Sequence, residues 1–220
     1  MLRRVMTLPD SIPIFPLPNV VLFPEVELPL HIFEPRYREM VADAMAGDGL
    51  IGMVLLRPQW GKDYYEAPPV YPVGCVGRIE QHEALADGRS NLVLRGERAF
   101  EIQSEIEGRT YRQAMVSWRE ADTGEPAAGV GDTLRSSVLR LLERAGKPGA
   151  DQIWDQLPKP WTKLVNLLAF GLPFEEVEKM ALLECSGCAE RAQRMVEVLE
   201  FRLAEQETGT PGGGPGESWH

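Results

Sequence analysis

Apolar and polar positions fall in short, proline-punctuated runs over residues 12–40, IPIFPLPNVVLFPEVELPLHIFEPRYREM, before giving way to helical spacing. Pro13, Pro16, Pro18, Pro24 and Pro29 each lack a donor N–H and fix their own φ, which excludes a helix and suits edge strands, bulges and extended turns. Residues 12–17 and 26–32 therefore read as two strands. Pro35 fits the first position of a helix, where a missing donor costs nothing, and Tyr37, Met40, Val41 and Ala44 follow at helical spacing.

The pattern then stays β-like to about residue 120. Residues 50–56, LIGMVLL, are apolar on both faces and belong in the middle of a sheet. Residues 57–72 combine prolines with Trp60, Tyr64, Tyr65 and Tyr71, a composition for a long loop. A strand at 73–83, a turn at Asp87-Gly88, and strands at 91–98, 100–107 and 111–120 complete a meander, for six or seven strands in all. Periodicity lapses over 121–131 and returns as helical. Asp132 is the expected N-cap of a helix ended by Gly146, Pro148 and Gly149. Helices follow at 151–157, 161–170, from Pro173, and over 188–207, where Ala192, Met195, Val196, Leu199 and Leu203 form one stripe. The Gly/Pro-rich residues 208–220 read as a disordered tail. The periodicities imply an α+β chain, β-rich and then α-rich: an extension at 1–9, a β-rich part at 10–120, a linker at 121–131 and a helical part at 132–207.

Pro13, Pro16, Leu17, Val20, Val21, Phe23, Pro24, Pro29, Leu30, Phe33, Glu34, Arg36 and Tyr37, followed by Gly74, Val76, Gly77, Ile79, Leu94, Gly96 and Arg98, stand in an order that resembles the amino-terminal domain of the Lon protease family. The same domain type occurs in cereblon and in stand-alone bacterial proteins. That resemblance implies a PUA-like pseudo-β-barrel followed by a helical bundle. It also implies a non-catalytic module that binds unfolded or extended polypeptide or a proteolysis partner protein, as an adaptor in proteolysis or protein quality control.

Composition narrows the alternatives. With 44% hydrophobic and 25% charged residues the 220-residue chain can bury a real core. Its net charge of −10 repels phosphate backbones and argues against the first alternative, an RNA-binding PUA-like module. Arg78, Arg95 and Arg98 read as a solvated face of the meander. Three cysteines suit reduced thiols in the cytoplasm, and no apolar stretch approaches membrane-spanning length.

No catalytic residue, cofactor or metal is expected. Ala145-Gly146-Lys147-Pro148 lacks the hydroxyl of a nucleotide-binding loop and inserts a proline, so it reads as a helix stop. The family's ATPase and Ser–Lys peptidase parts are expected to be missing. The second alternative, a redox or metal protein, rests on Cys185 and Cys188: with Ser186 as cap, the positive end of the last helix favours a Cys188 thiolate. Zinc wants four ligands, and only scattered Cys75, His31, His82 and His220 remain to complete a set. Aromatic rings give large contact area at little entropic cost, so Trp60, Tyr64 and Tyr65, with Phe23 and Phe33 nearby, are the candidate peptide-binding residues.

Overall fold

A computed structural model describes residues 8–58 and 67–207. Strand β1 (Ser11–Leu17) leads to β2 (Glu27–Ile32), helix α1 (Pro35–Ala46), β3 (Leu50–Leu55), β4 (Val73–Ala84), β5 (Ser90–Ile106) and β6 (Gln113–Trp118). Five helices follow: α2 (Val130–Arg144), α3 (Ala150–Gln156), α4 (Trp161–Gly171), α5 (Glu176–Leu183) and α6 (Cys188–Glu207). The fold is α+β, as the periodicities predict.

The strands lie in the order β2-β5-β4-β3-β1-β6, and β5 pairs with β6 as well, so the sheet curls into a pseudo-barrel. The two strands expected at 91–98 and 100–107 are one 17-residue strand, Ser90–Ile106. Its first part runs between β2 and β4, and its last part turns to β6. Irregularities between Val76 and Gly77, Ile79 and Gln81, and Ile102 and Ser104 bend the ladders enough for one strand to serve both sides. Val76, Phe100, Ile12, Ile14, Leu50, Val54, Ala114 and Val116 form one core cluster, drawn from the five curled strands.

Backbone direction explains how a strand with two prolines sits inside the sheet. β1 pairs with β6 over Ser11–Pro13 and with β3 over Ile14–Leu17. The Ile14 N–H donates to Arg112 O at 2.9 Å, on the β6 side, so neighbouring odd-numbered residues face β3. Pro13 thus points its missing donor towards β3 before that pairing begins. Pro16 points its own towards β6 after that pairing has ended. Each proline occupies a local edge.

Helix α1 starts with Pro35 at its first turn and buries Tyr37, Met40, Val41 and Ala44, as the spacing predicts. All six residues of β3 are buried between β4 and β1. Two helix starts differ from expectation. Helix α2 begins at Val130 after Gly129, whose φ of 84° supplies the left-handed turn, which leaves Asp132 in the first turn rather than at the cap. Helix α5 begins at Glu176, not Pro173, because Glu175 and Glu178 form a reciprocal capping box.

The larger core cluster runs through both halves, joining Phe15, Phe23, Met53 and Leu94 to Leu134, Leu164, Met180 and Met195. The expected linker is clamped at this seam. Asp122 and Arg191 form an ion pair with 9% and 3% of their side chains exposed. Arg191 also donates from Nε to Leu182 O (2.8 Å) and from Nη1 to Asn166 Oδ1 (2.5 Å), and Asn166 Nδ2 donates to Asp122 Oδ2 (3.1 Å). The expected tail at 208–220 lies outside the described residues.

Candidate functional site

Of the five aromatic candidates the structure describes Phe23 and Phe33, and it sets them apart. Phe23 is fully buried, with the Arg191 guanidinium 5.6 Å above its ring, so it forms no surface rim. The cause is local: Val21, Leu22 and Val26 are also buried, and the loop before β2 dives under the sheet end where Gly96 lets it pass. A Cβ at Gly96 would lie 2.0 Å from Phe23 O. Phe33, in contrast, is 60% exposed, and its ring stacks at 6.2 Å on His31.

Trp60, Tyr64 and Tyr65 lie outside the described residues. The described flanks of that segment are tied down by a Leu56–Val70 bridge and by the Arg57 N–H donating to Pro69 O (2.9 Å), just before β4 begins. Phe33 instead follows Ile32, which pairs with Ser90, itself opposite Ala84 at the last position of β4. The 12 residues of β4 separate these two places, roughly 35 Å at the rise of a strand. Phe33 and the anchors of the aromatic segment therefore mark opposite ends of the sheet, not one surface.

Around Phe33 the sheet offers a second feature that the apolar pattern did not flag. The exposed faces of β2, β5 and β4 form a groove of about 610 Å³. Pro29 and Val93 lie across its floor beside Gln81. His31, Asn91 and Glu83 make a polar ladder across the three strands: His31 Nδ1 lies 2.7 Å from Asn91 Oδ1, and Asn91 Nδ2 donates to Glu83 at 3.1 Å. Glu27 sits opposite Arg95, which reaches Glu80 at 3.7 Å. The sequence signal was the exposed–buried alternation of Glu27, Pro29 and His31, legible only once the partner strand was known.

Arg78, Arg95 and Arg98 do not form one basic face. Arg78 is paired with Glu97 and Arg95 with Glu80, while Arg98 lines a separate cavity of about 370 Å³ at the seam of the two halves.

The cysteines depart from the thiolate expectation. All three are free and buried. Burial pushes the Cys188 thiol up to about 11, with nearby Asp122 adding to the effect, and burial raises Cys185 as well. A carboxylate, that of Glu190, serves the start of α6 in place of a thiolate. The Ser186 N–H and Oγ–H both donate to Glu190 at 2.7 Å, and these hydrogen bonds hold Glu190 below the ordinary carboxylate range. Among the described residues no group of three or more His, Cys, Asp or Glu side chains could hold a metal ion. The seam residues Asp122, Asn166 and Arg191 escaped the sequence reading. Their signal was a charged residue, Arg191, beside the apolar stripe of the last helix.

A family model described as the ATP-dependent protease La (LON) substrate-binding domain matches residues 11–200. The chain belongs to this family. Among its relatives, the Lon protease of Syntrophus aciditrophicus is 32% identical over 214 residues, covering 94% of this chain and 27% of that protein. The Lon protease of Parabacteroides distasonis is 28% identical over 203 residues, covering 89% and 24%. The chain thus spans about a quarter of the length of these Lon relatives. The crystal structure of a Lon N-terminal domain protein from Xanthomonas campestris superposes with a TM-score of 0.64 at 26% identity, over 85% of this chain and 97% of that one. The N-terminal domain of Mycobacterium avium complex Lon protease gives 0.61 at 18% identity, over 86% and 98%, a likeness of fold. Within the Lon match fall Phe33, the groove and the seam.

Proposed function

We propose that this chain is a non-catalytic recognition module that binds unfolded or extended polypeptide and acts as an adaptor for a proteolytic partner. The observation that carries the reading is the match of residues 11–200 to a substrate-binding domain. Phe33 gives it a physical point of contact: a large apolar ring left 60% exposed beside a groove, in a chain that buries its other phenylalanines except Phe201 and the half-buried Phe170. An exposed aromatic contributes contact area at little entropic cost. Trp60, Tyr64 and Tyr65, which lie outside the described residues, would supply a second contact. Buried, reduced thiols suit the cytoplasm, and no described helix is long and apolar enough to cross a membrane.

Fluorescence anisotropy of the purified chain against a labelled, permanently unfolded polypeptide tests the reading, with a structured RNA as the second probe. Saturable polypeptide binding at physiological salt is expected, weakened about fivefold or more by Phe33→Ala, which corresponds to a contact of about 1 kcal/mol. The melting temperature of Phe33→Ala should match the parent, because the ring is exposed. Phe23→Ala should instead lose about 3–5 kcal/mol of stability, as expected for emptying a buried aromatic site. Absence of polypeptide binding, or binding of RNA alone, overturns the proposal.

A further inference from the structure

Strand β2 is the last strand of the sheet, with β5 on one side and no described strand on the other. The direction of its backbone groups follows from one contact. Gly96 N–H donates to Val26 O at 2.9 Å, and the register continues Glu27↔Arg95, Leu28↔Leu94, Pro29↔Val93 to Ile32↔Ser90. In an antiparallel ladder bonded pairs alternate, so the even-numbered residues Leu28, Leu30 and Ile32 bond to β5. Glu27, Pro29 and His31 turn their backbone groups away from the sheet. The open edge therefore presents the N–H groups of Glu27 and His31 and the carbonyls of all three. Pro29 stands where its missing donor disturbs nothing within the fold. This edge lies along the groove, and the exposed faces of β2, β5 and β4 carry Glu27, Glu80, Glu83 and Glu97 against two guanidiniums, those of Arg95 and of Arg78 opposite it in register.

We infer that the open edge of β2 takes an extended, basic segment of a client polypeptide as an added strand, with its Lys or Arg side chains over the carboxylate-rich face. The inference rests on the polypeptide-binding reading above and specifies how and what the site binds. An extended backbone offers donors and acceptors at the same repeat as Glu27, Pro29 and His31, so main-chain hydrogen bonds hold it without fixing its sequence. Side chains of an added strand alternate between faces. Those on the exposed side meet Glu27 first, with Glu80 and Glu83 behind, and a cation is favoured there. Those on the other side lie beside Leu30, which is only partly buried, and Phe33 flanks the end of the strand. The preferred segment alternates basic and apolar residues. The net charge of −10 steers it in the same direction.

The test is anisotropy with labelled eight-residue peptides of alternating apolar and Lys residues, against a matched peptide with Glu in place of Lys. In two further versions of the Lys peptide alternate amides are N-methylated, the two versions differing in which set. Methylation on the side facing β2 should weaken binding about tenfold or more, while methylation of the other set should leave it within about twofold, because a single added strand uses alternate backbone groups. The Glu peptide should bind about fivefold or more weakly at low salt, and Glu27→Gln with Glu83→Gln should narrow that gap; rising salt should narrow it as well. Equal effects of the two methylation sets, or equal binding of the Lys and Glu peptides, overturn this inference while leaving polypeptide recognition standing. No binding of any peptide or of the unfolded polypeptide overturns both. Sedimentation covers the remaining occupant: a dimer that the Lys peptide cannot dissociate would mean that a second copy holds the edge, and would overturn the inference too.

Discussion

Removing Asp122 should be among the most damaging single changes outside the aromatic core. Among the described residues its carboxylate is the only anion hydrogen-bonded to Arg191, whose side chain is 3% exposed and held between Asp122, Asn166, Leu182 O and the ring of Phe23. Asp122→Ala leaves that guanidinium buried with neutral partners, and breaking a buried pair from one side costs about 3–5 kcal/mol. In a chain of this size each kcal/mol lowers the melting temperature by about 2–4 °C, so a fall of roughly 6–20 °C is expected. Asp122→Asn keeps the shape and one neutral acceptor and should lose less, about 1.5–3 kcal/mol, the range for a hydrogen bond to a charged group. Combining Asp122→Ala with Arg191→Met removes the orphaned charge, so the double variant should be more stable than the sum of the two single losses predicts by about 1–3 kcal/mol. Urea unfolding of the parent, the three single variants and the double variant, followed by tryptophan fluorescence and far-UV circular dichroism, reads all of these. A double variant that loses the plain sum, or an Asp122→Ala loss below about 1 kcal/mol, would refute the view that this pair clamps the helical half to the sheet.

Two other predictions follow from the packing. Gly96→Ala would bring a Cβ to 2.0 Å from the Phe23 carbonyl oxygen, a backbone atom that cannot step aside alone, so stability should fall towards the upper end of the roughly 1–3 kcal/mol typical of overpacking, measurable by the same urea titration; an unchanged midpoint would show that the loop before β2 is not held against the sheet. Stability should also decline as pH rises above 9. Burial raises Cys188 to about 11 and Tyr111, which donates to Asp43 at 2.7 Å, to about 12, so each group releases its proton at lower pH in the unfolded chain and stabilises the fold only while protonated. The contribution is complete below the ordinary values of 9.0 and 10.0 and fades as pH climbs through the raised ones. Melting temperatures of the parent and of Tyr111→Phe between pH 8 and 11 should converge as pH rises; parallel curves would contradict the assignment.

The sequence by itself determined most of the elements and the family. Proline spacing marked β1, β2 and the start of α1, the apolar run at 50–56 marked the central strand, and the stripe from Ala192 to Leu203 marked the last helix, because each depends on local stereochemistry or on one period. Helix starts shifted where a cap was decided by neighbours, as with the box made by Glu175 and Glu178. Tertiary structure alone decided what is accessible. Phe23 and Phe33 are both aromatic and both lie close to prolines, yet one is sealed under Arg191 and the other exposed, since burial depends on what packs from elsewhere in the chain. The clamp is of the same kind, with Asp122, Asn166 and Arg191 brought together from distant positions in the sequence. So is the open edge of β2: whether Glu27, Pro29 and His31 offer their backbone groups outward is set by the register against β5, a pairing between residues some 60 positions apart that no local pattern encodes.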